Sequence, residues 1–163
     1  MRALIVAISL ALFVVGPAAA KTTAIDLIVV DKSRRVMTLW AGKLPVKTYR
    51  IALGGNPVGH KEQEGDSRTP EGRYVIDGKN PNSTFHLSLR ISYPNRKDRA
   101  AAAKRGVSPG GWIMIHGTPG YLSTFQNVGV LRDWTAGCIA VANDEIEEIF
   151  KQVRIGTPIV IKP

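Results

Sequence analysis

Cys138 is the only cysteine among 163 residues, and it stands in Trp134-Thr135-Ala136-Gly137-Cys138-Ile139-Ala140-Val141, a small-residue loop that runs into an apolar strand. Gly137 lets the backbone turn tightly and approach a ligand, while the apolar residues after the cysteine can anchor the loop end in a sheet. That placement suits a thiol nucleophile. A second reading also stands, in which Cys138 is a small hydrophobe filling a core position. An ordinary thiol is only a few per cent ionised at neutral pH, so a cysteine enzyme needs a base beside it, usually an imidazole. The chain offers His60, His86 and His116. His116 follows the apolar run Trp112 to Ile115 and precedes Gly117, which puts a ring at a strand end next to a flexible backbone. If the two strands are neighbours, His116 and Cys138 meet. Otherwise His116 merely caps its strand. His60 lies among charges in a polar loop and reads as solvated. No H-E-x-x-H occurs, the histidines are far apart and cysteine is single, so no metal site is expected.

The elements that must position these residues read as mainly β. Ile25 to Val30, Val36 to Trp40 and Val46 to Leu53 form a meander, followed by a glycine-rich, charged excursion over residues 56–70. Arg73 to Ile76 and Phe85 to Ile91 give two more strands. In the second, alternation puts Phe85, Leu87 and Leu89 on a core face and His86, Ser88 and Arg90 on a face open to ligand. Helices are expected over Pro94 to Arg105 and, with Asn143 as N-cap, to about Val153; Thr157 to Ile161 closes the chain as a strand.

Met1-Arg2, the largely apolar stretch Ala3 to Val15 and the small residues Ala18-Ala19-Ala20 read as a signal peptide over residues 1–20, too short to span a bilayer. Residues 21–163 then form one domain, exported to the periplasm or beyond, with no internal disulfide available. The formal charge is +9, which favours an anionic partner. The basic residues are scattered without aromatic interleaving, so a carboxylate-rich wall polymer or an anionic membrane surface fits better than nucleic acid. A monomer without cofactor is expected.

Ile115-His116-Gly117 and Thr135-Ala136-Gly137-Cys138-Ile139 resemble the signature of the L,D-transpeptidase catalytic domain family, which remodels bacterial peptidoglycan. The resemblance extends to Ala52-Leu53-Gly54-Gly55-Asn56-Pro57-Val58-Gly59-His60-Lys61, to Arg68-Thr69-Pro70-Glu71-Gly72-Arg73-Tyr74 and to Phe85 through Pro94, covering roughly Ala24 to Pro163. It departs from relatives at Ala136 and Ala140, where histidine or aspartate and asparagine or arginine are frequent.

The resemblance implies a β sandwich or barrel with a few short helices, Cys138 as nucleophile and His116 as general base and acid, with the Gly117 carbonyl orienting the ring. It implies the Gly137 and Cys138 N–H groups as oxyanion donors and Thr135 as a loop clasp. The substrate would be peptidoglycan tetrapeptide stems, with Thr135, His86, Ser88, Arg90 and Arg132 as candidate binding residues. The reaction would release D-alanine, form 3→3 cross-links or load another amine, and leave the thiol open to carbapenems. An L,D-carboxypeptidase or an inactive wall-binding domain remains open at this level.

Overall fold

The computed structural model describes residues 24–120 and 132–163. The expected signal peptide lies outside the described residues. Among the described residues eight strands form in chain order: β1 (Leu27–Asp31), β2 (Val36–Ala41), β3 (Leu44–Arg50), β4 (Gly72–Ser83), β5 (His86–Ile91), β6 (Met114–His116), β7 (Ile139–Ala140) and β8 (Pro158–Lys162), with helices α1 (Arg96–Lys104) and α2 (Asn143–Gln152). They hydrogen-bond in the order β3-β2-β1-β8-β4-β5-β6-β7. The fold is mainly β, as the alternation patterns require.

The 12-residue β4 joins the two halves of this order. Its residues up to Val75 pair with β8 and those from Ile76 with β5, with a register shift between Ile76 and Gly78 just inside the second pairing. Both halves contribute to one apolar cluster, from Ile28 and Leu39 through Ile76 and Ile159 to Leu89, Ile115 and Ile139. Burying these β-branched and leucine side chains is the main favourable term for the fold.

Three local expectations are corrected. The third strand stops at Arg50 instead of Leu53, because residues beyond it leave β2 and bridge the other half of the molecule at Ala52–Ala140 and Gly54–Thr135. Helix α1 begins after Asn95, not at Pro94, because the Asn95 side chain accepts the N–H groups of Lys97 and Asp98 while Asp98 accepts the Asn95 N–H. Asn143 is not the cap of α2. That place belongs to Ala142, whose N–H is held by Glu145 Oε2 at 3.0 Å, and the Asn143 Oδ1 accepts the Thr118 N–H at 2.7 Å. The residue that looks like a helix signal in sequence braces the chain just past His116.

Candidate active site

β6 lies between β5 and β7, antiparallel to the first and parallel to the second. The pairings Ile115–Ile139 and His116–Ala140, continued by one residue, set Cys138 opposite Met114. Because paired residues in adjacent strands project to the same side, Ser88, Met114, His116 and Cys138 share one face. The opposite face carries Leu89, Ile115 and Ile139, all fully buried. Cys138 and His116 are therefore diagonal neighbours over a rigid apolar floor.

The ring of His116 is held in one orientation. Its Nδ1 lies 2.7 Å from the Gly117 carbonyl oxygen, which can only accept, so Nδ1 carries the proton and Nε2 keeps a lone pair. The Phe85 ring packs on it with centroids 4.5 Å apart, and Trp134 stands edge-on at 5.8 Å. Burial lowers the pKa of His116, against the Gly117 hydrogen bond that raises it. Gly117 has no room for a side chain: a Cβ there would run into Asn143 Oδ1, with Ile146 and the Phe85 carbonyl at 3.0 Å.

The sulfur of Cys138 is half-buried, with its Sγ–H directed to the Trp112 carbonyl at 3.5 Å. Burial pushes the thiol pKa up, partly offset by the Met114 backbone N–H and by the charge of Lys61. Both members of the pair thus favour their neutral forms at rest. That is the arrangement for a base that takes the thiol proton as attack begins, not for a preformed ion pair.

The loop before the cysteine is clasped by Thr135, whose Oγ1 donates to the Cys138 carbonyl at 2.8 Å and accepts the Gly137 N–H at 3.1 Å. This departs from one expectation: the Gly137 N–H, which the resemblance implied as an oxyanion donor, is engaged inside the loop. Gly137 itself is required by its backbone. Its φ is +132°, and a Cβ would stand 2.6 Å from the Arg68 carbonyl oxygen.

The candidate binding residues divide. Thr135 is buried and acts on the loop. Ser88 is 1% exposed, opposite His116, and lines a cleft of about 160 Å³ with Arg90, Trp112 and Met114. Arg90 is exposed, donates to Asp77 at 2.7 Å and lies over the Trp112 ring at 5.8 Å. Arg132 is exposed beside Asp133, which binds Arg35 and accepts the Leu53 N–H at 2.8 Å.

His86 is the clear departure. A φ of +71° breaks the alternation of the strand, so the Phe85 ring falls on His116 while His86 Nε2 meets Glu147 of α2 at 2.8 Å. Phe85 therefore belongs to the site and not to the core face assigned to it, and the cleft face is Ser88 and Arg90 without His86. His60 is half-buried and partnered rather than solvated: its Nδ1 accepts the Glu71 N–H at 3.0 Å and Nε2 lies 3.3 Å from Asp98. Sequence reasoning also missed Trp112 and Trp134, whose roles depend on strand neighbours far along the chain. Among the described residues no group of three or more His, Cys, Asp or Glu is placed to hold a metal ion.

A family model described as the L,D-transpeptidase catalytic domain (YkuD) matches residues 25–161. The chain belongs to this family. It is 31% identical over 108 residues to the Escherichia coli (strain K12) protein named "Putative L,D-transpeptidase YafK", covering 65% of this chain and 36% of that protein. Among solved structures it resembles the Campylobacter jejuni helical cell shape determining protein Pgp2 (K307A mutant), at 25% identity and TM-score 0.67, over 85% of this chain and 47% of that one. An L,D-transpeptidase from Mycobacterium smegmatis shares the fold at 16% identity and TM-score 0.56, over 86% of this chain and 59% of that one. The chain thus spans about a third of the length of YafK and just under half of Pgp2.

Proposed function

We propose that this domain is a cysteine acyltransferase acting on peptidoglycan stem peptides outside the cytoplasmic membrane. The observation that carries the reading is the His116 Nδ1–Gly117 hydrogen bond, which leaves Nε2 as a base on the same face as Cys138. Cys138 attacks the carbonyl of the third stem residue, an L-centre of a diamino acid, while His116 takes the thiol proton. The Cys138 N–H, next to the clasped Gly137, stabilises the oxyanion. As the tetrahedral species collapses, the C–N bond breaks and His116 returns the proton to the amine of D-alanine, leaving a thioester. An amine of a second stem then attacks the thioester, giving a 3→3 cross-link and restoring the thiol. No acidic triad member is required, because the Gly117 carbonyl fixes the tautomer. A basic chain suits an anionic wall polymer, and the Pgp2 likeness fits a role in cell-wall shape.

The test is incubation of residues 21–163 with purified tetrapeptide muropeptides, followed by mass spectrometry. Cross-linked dimers lacking one D-alanine are the expected product. Trimmed tripeptides alone would make water the acceptor, and unchanged muropeptides would overturn the reading.

His86→Ala should leave kcat/KM on the same muropeptides within about twofold. An exposed His–Glu pair contributes about 0.5 kcal/mol or less, so the melting temperature should barely move. A loss of activity at unchanged stability would return His86 to the substrate cleft.

A further inference from the structure

Lys61 is 3% exposed. Its Nζ donates to Asp66 Oδ1 at 2.7 Å and to the Gln63 carbonyl at 3.1 Å. Asp66 also accepts three backbone N–H groups: Glu62 at 2.7 Å and Gln63 at 3.1 Å on Oδ2, and Arg68 at 3.0 Å on Oδ1. Although burial raises the Asp66 pKa, the Lys61 ammonium and those backbone donors bring it down to about 2. The Asp66 carboxylate is therefore ionised across the whole working range.

The loop that carries this pair is pressed against the nucleophile loop. The Ser67 carbonyl accepts the Asn56 N–H at 3.0 Å and occupies the space a side chain on Gly54 would need, and that same position is 3.1 Å from Gly137 Cα. The Arg68 carbonyl closes on Gly137 from the same side. The loop therefore touches the turn that presents Cys138, and the lysine–aspartate pair is joined to that contact through Arg68, whose N–H Asp66 accepts and whose carbonyl fills the space beside Gly137.

A loop staple is the simpler use of a buried lysine, and Lys32 is one. Lys32 directs its ammonium to three acceptors, the carbonyls of Gly59 and Thr69 and the carboxylate of Glu71. Lys61 differs in two respects. Its counter-ion already has three backbone donors, which disperse the negative charge, and its own charge acts on the sulfur in the direction that favours the thiolate. His116, neutral at rest, cannot supply that positive charge before it has taken the proton.

We propose that Lys61 is a positioning residue of electrostatic kind: Asp66 fixes its ammonium behind the Thr135–Cys138 turn, where it stabilises the negative charge that develops on sulfur as the thiol is deprotonated. This rests on Cys138 as the nucleophile and adds a second source of thiolate stabilisation beside His116. Among the described residues the charged and titratable groups around the turn are His116 from β6, Lys61, Asp66 and Arg68 from the 61–68 loop with Glu62 beside Arg68, and Asp133, two residues before Thr135, which pairs with Arg35; Arg90 and Asp77 pair with each other beyond Trp112.

The experiment is the pH dependence of iodoacetamide alkylation of the single cysteine in the folded chain, which needs no wall substrate. Lys61→Met should raise the midpoint by about one pH unit, making alkylation at neutral pH about tenfold slower, and Lys61→Arg should restore the parent profile. Asp66→Asn, which removes the counter-charge, should move the midpoint down. Opposite signs for the two variants are the signature of a field, whereas loss of a staple moves both the same way together with the melting temperature. An unchanged midpoint in Lys61→Met, or shifts of equal sign, would overturn the proposal. If Lys61→Met does not fold, Lys61→Gln, which can still donate to Asp66, carries the same test. A parent inert towards muropeptides but with these opposed shifts would refute the transferase reading alone.

Discussion

Cys138→Ala is expected to lower product formation from muropeptides by at least about 10⁴-fold, to the level of an uncatalysed control, while leaving the fold intact. Among the described hydroxyl and thiol groups of the active face, the sulfur is the one placed to form an acyl intermediate, because Ser88 is 1% exposed and Thr135 is tied into its loop clasp. Removing one half-buried sulfur atom opens little volume, so the cost in stability should be about 1 kcal/mol or less. Intact-mass spectrometry after carbapenem treatment gives an independent readout: one adduct on the parent and none on the variant. Comparable turnover by both proteins would remove Cys138 from the mechanism.

His116→Ala should cut kcat/KM by about 10³-fold, since in the proposed mechanism the ring both accepts the thiol proton and returns it to the leaving amine. The pH profile carries a second expectation. Burial holds the His116 pKa below its ordinary value of 6.5, so activity should persist somewhat below that pH before the acid limb sets in. For the same reason the native state binds fewer protons at this site than the unfolded chain. The stability contributed by the neutral ring is complete above about pH 6.5 and is lost as pH falls towards the folded value. Urea titrations of parent and variant across that window should show the acid-side loss shrinking in His116→Ala. An acid limb at or above the ordinary histidine pKa would place the controlling group elsewhere.

The first two strands of the meander were legible because alternating burial leaves a period of two in the sequence, and the strand ending at His116 because it is an apolar run, although it begins at Met114 and leaves Trp112 exposed. Two apolar runs, one ending at His116 and one starting after Cys138, left the meeting of the two side chains conditional on strand adjacency, and β6 and β7 do pair. What the alternation could not show was where it fails. A histidine at positive φ is uncommon and carries no local signal, so the exchange of Phe85 and His86 was invisible, as was the use of Asn143 to brace Thr118. The path of residues 51–54 was hidden for another reason: their partners Thr135 and Ala140 lie more than 80 residues away. Lys61 was lost among the charges of a polar loop, because burial of one lysine in such a loop depends on the fold around it.

The dependence of the cysteine turn on Leu53, Gly54 and Arg68 has a consequence for how the thiol behaves over the life of the chain. Contacts of such long sequence separation form only when the domain is nearly complete, so the unfolded chain carries an ordinary thiol and folding converts it into one that holds its proton more tightly. Maturation therefore makes the sulfur quieter towards stray oxidants and disulfides at neutral pH. In the proposed mechanism its nucleophilicity is released on demand, when a bound carbonyl is aligned and His116 removes the proton. In an oxidising compartment that dormancy would let a solitary cysteine remain reduced between turnovers, with the folded state acting as its protecting group.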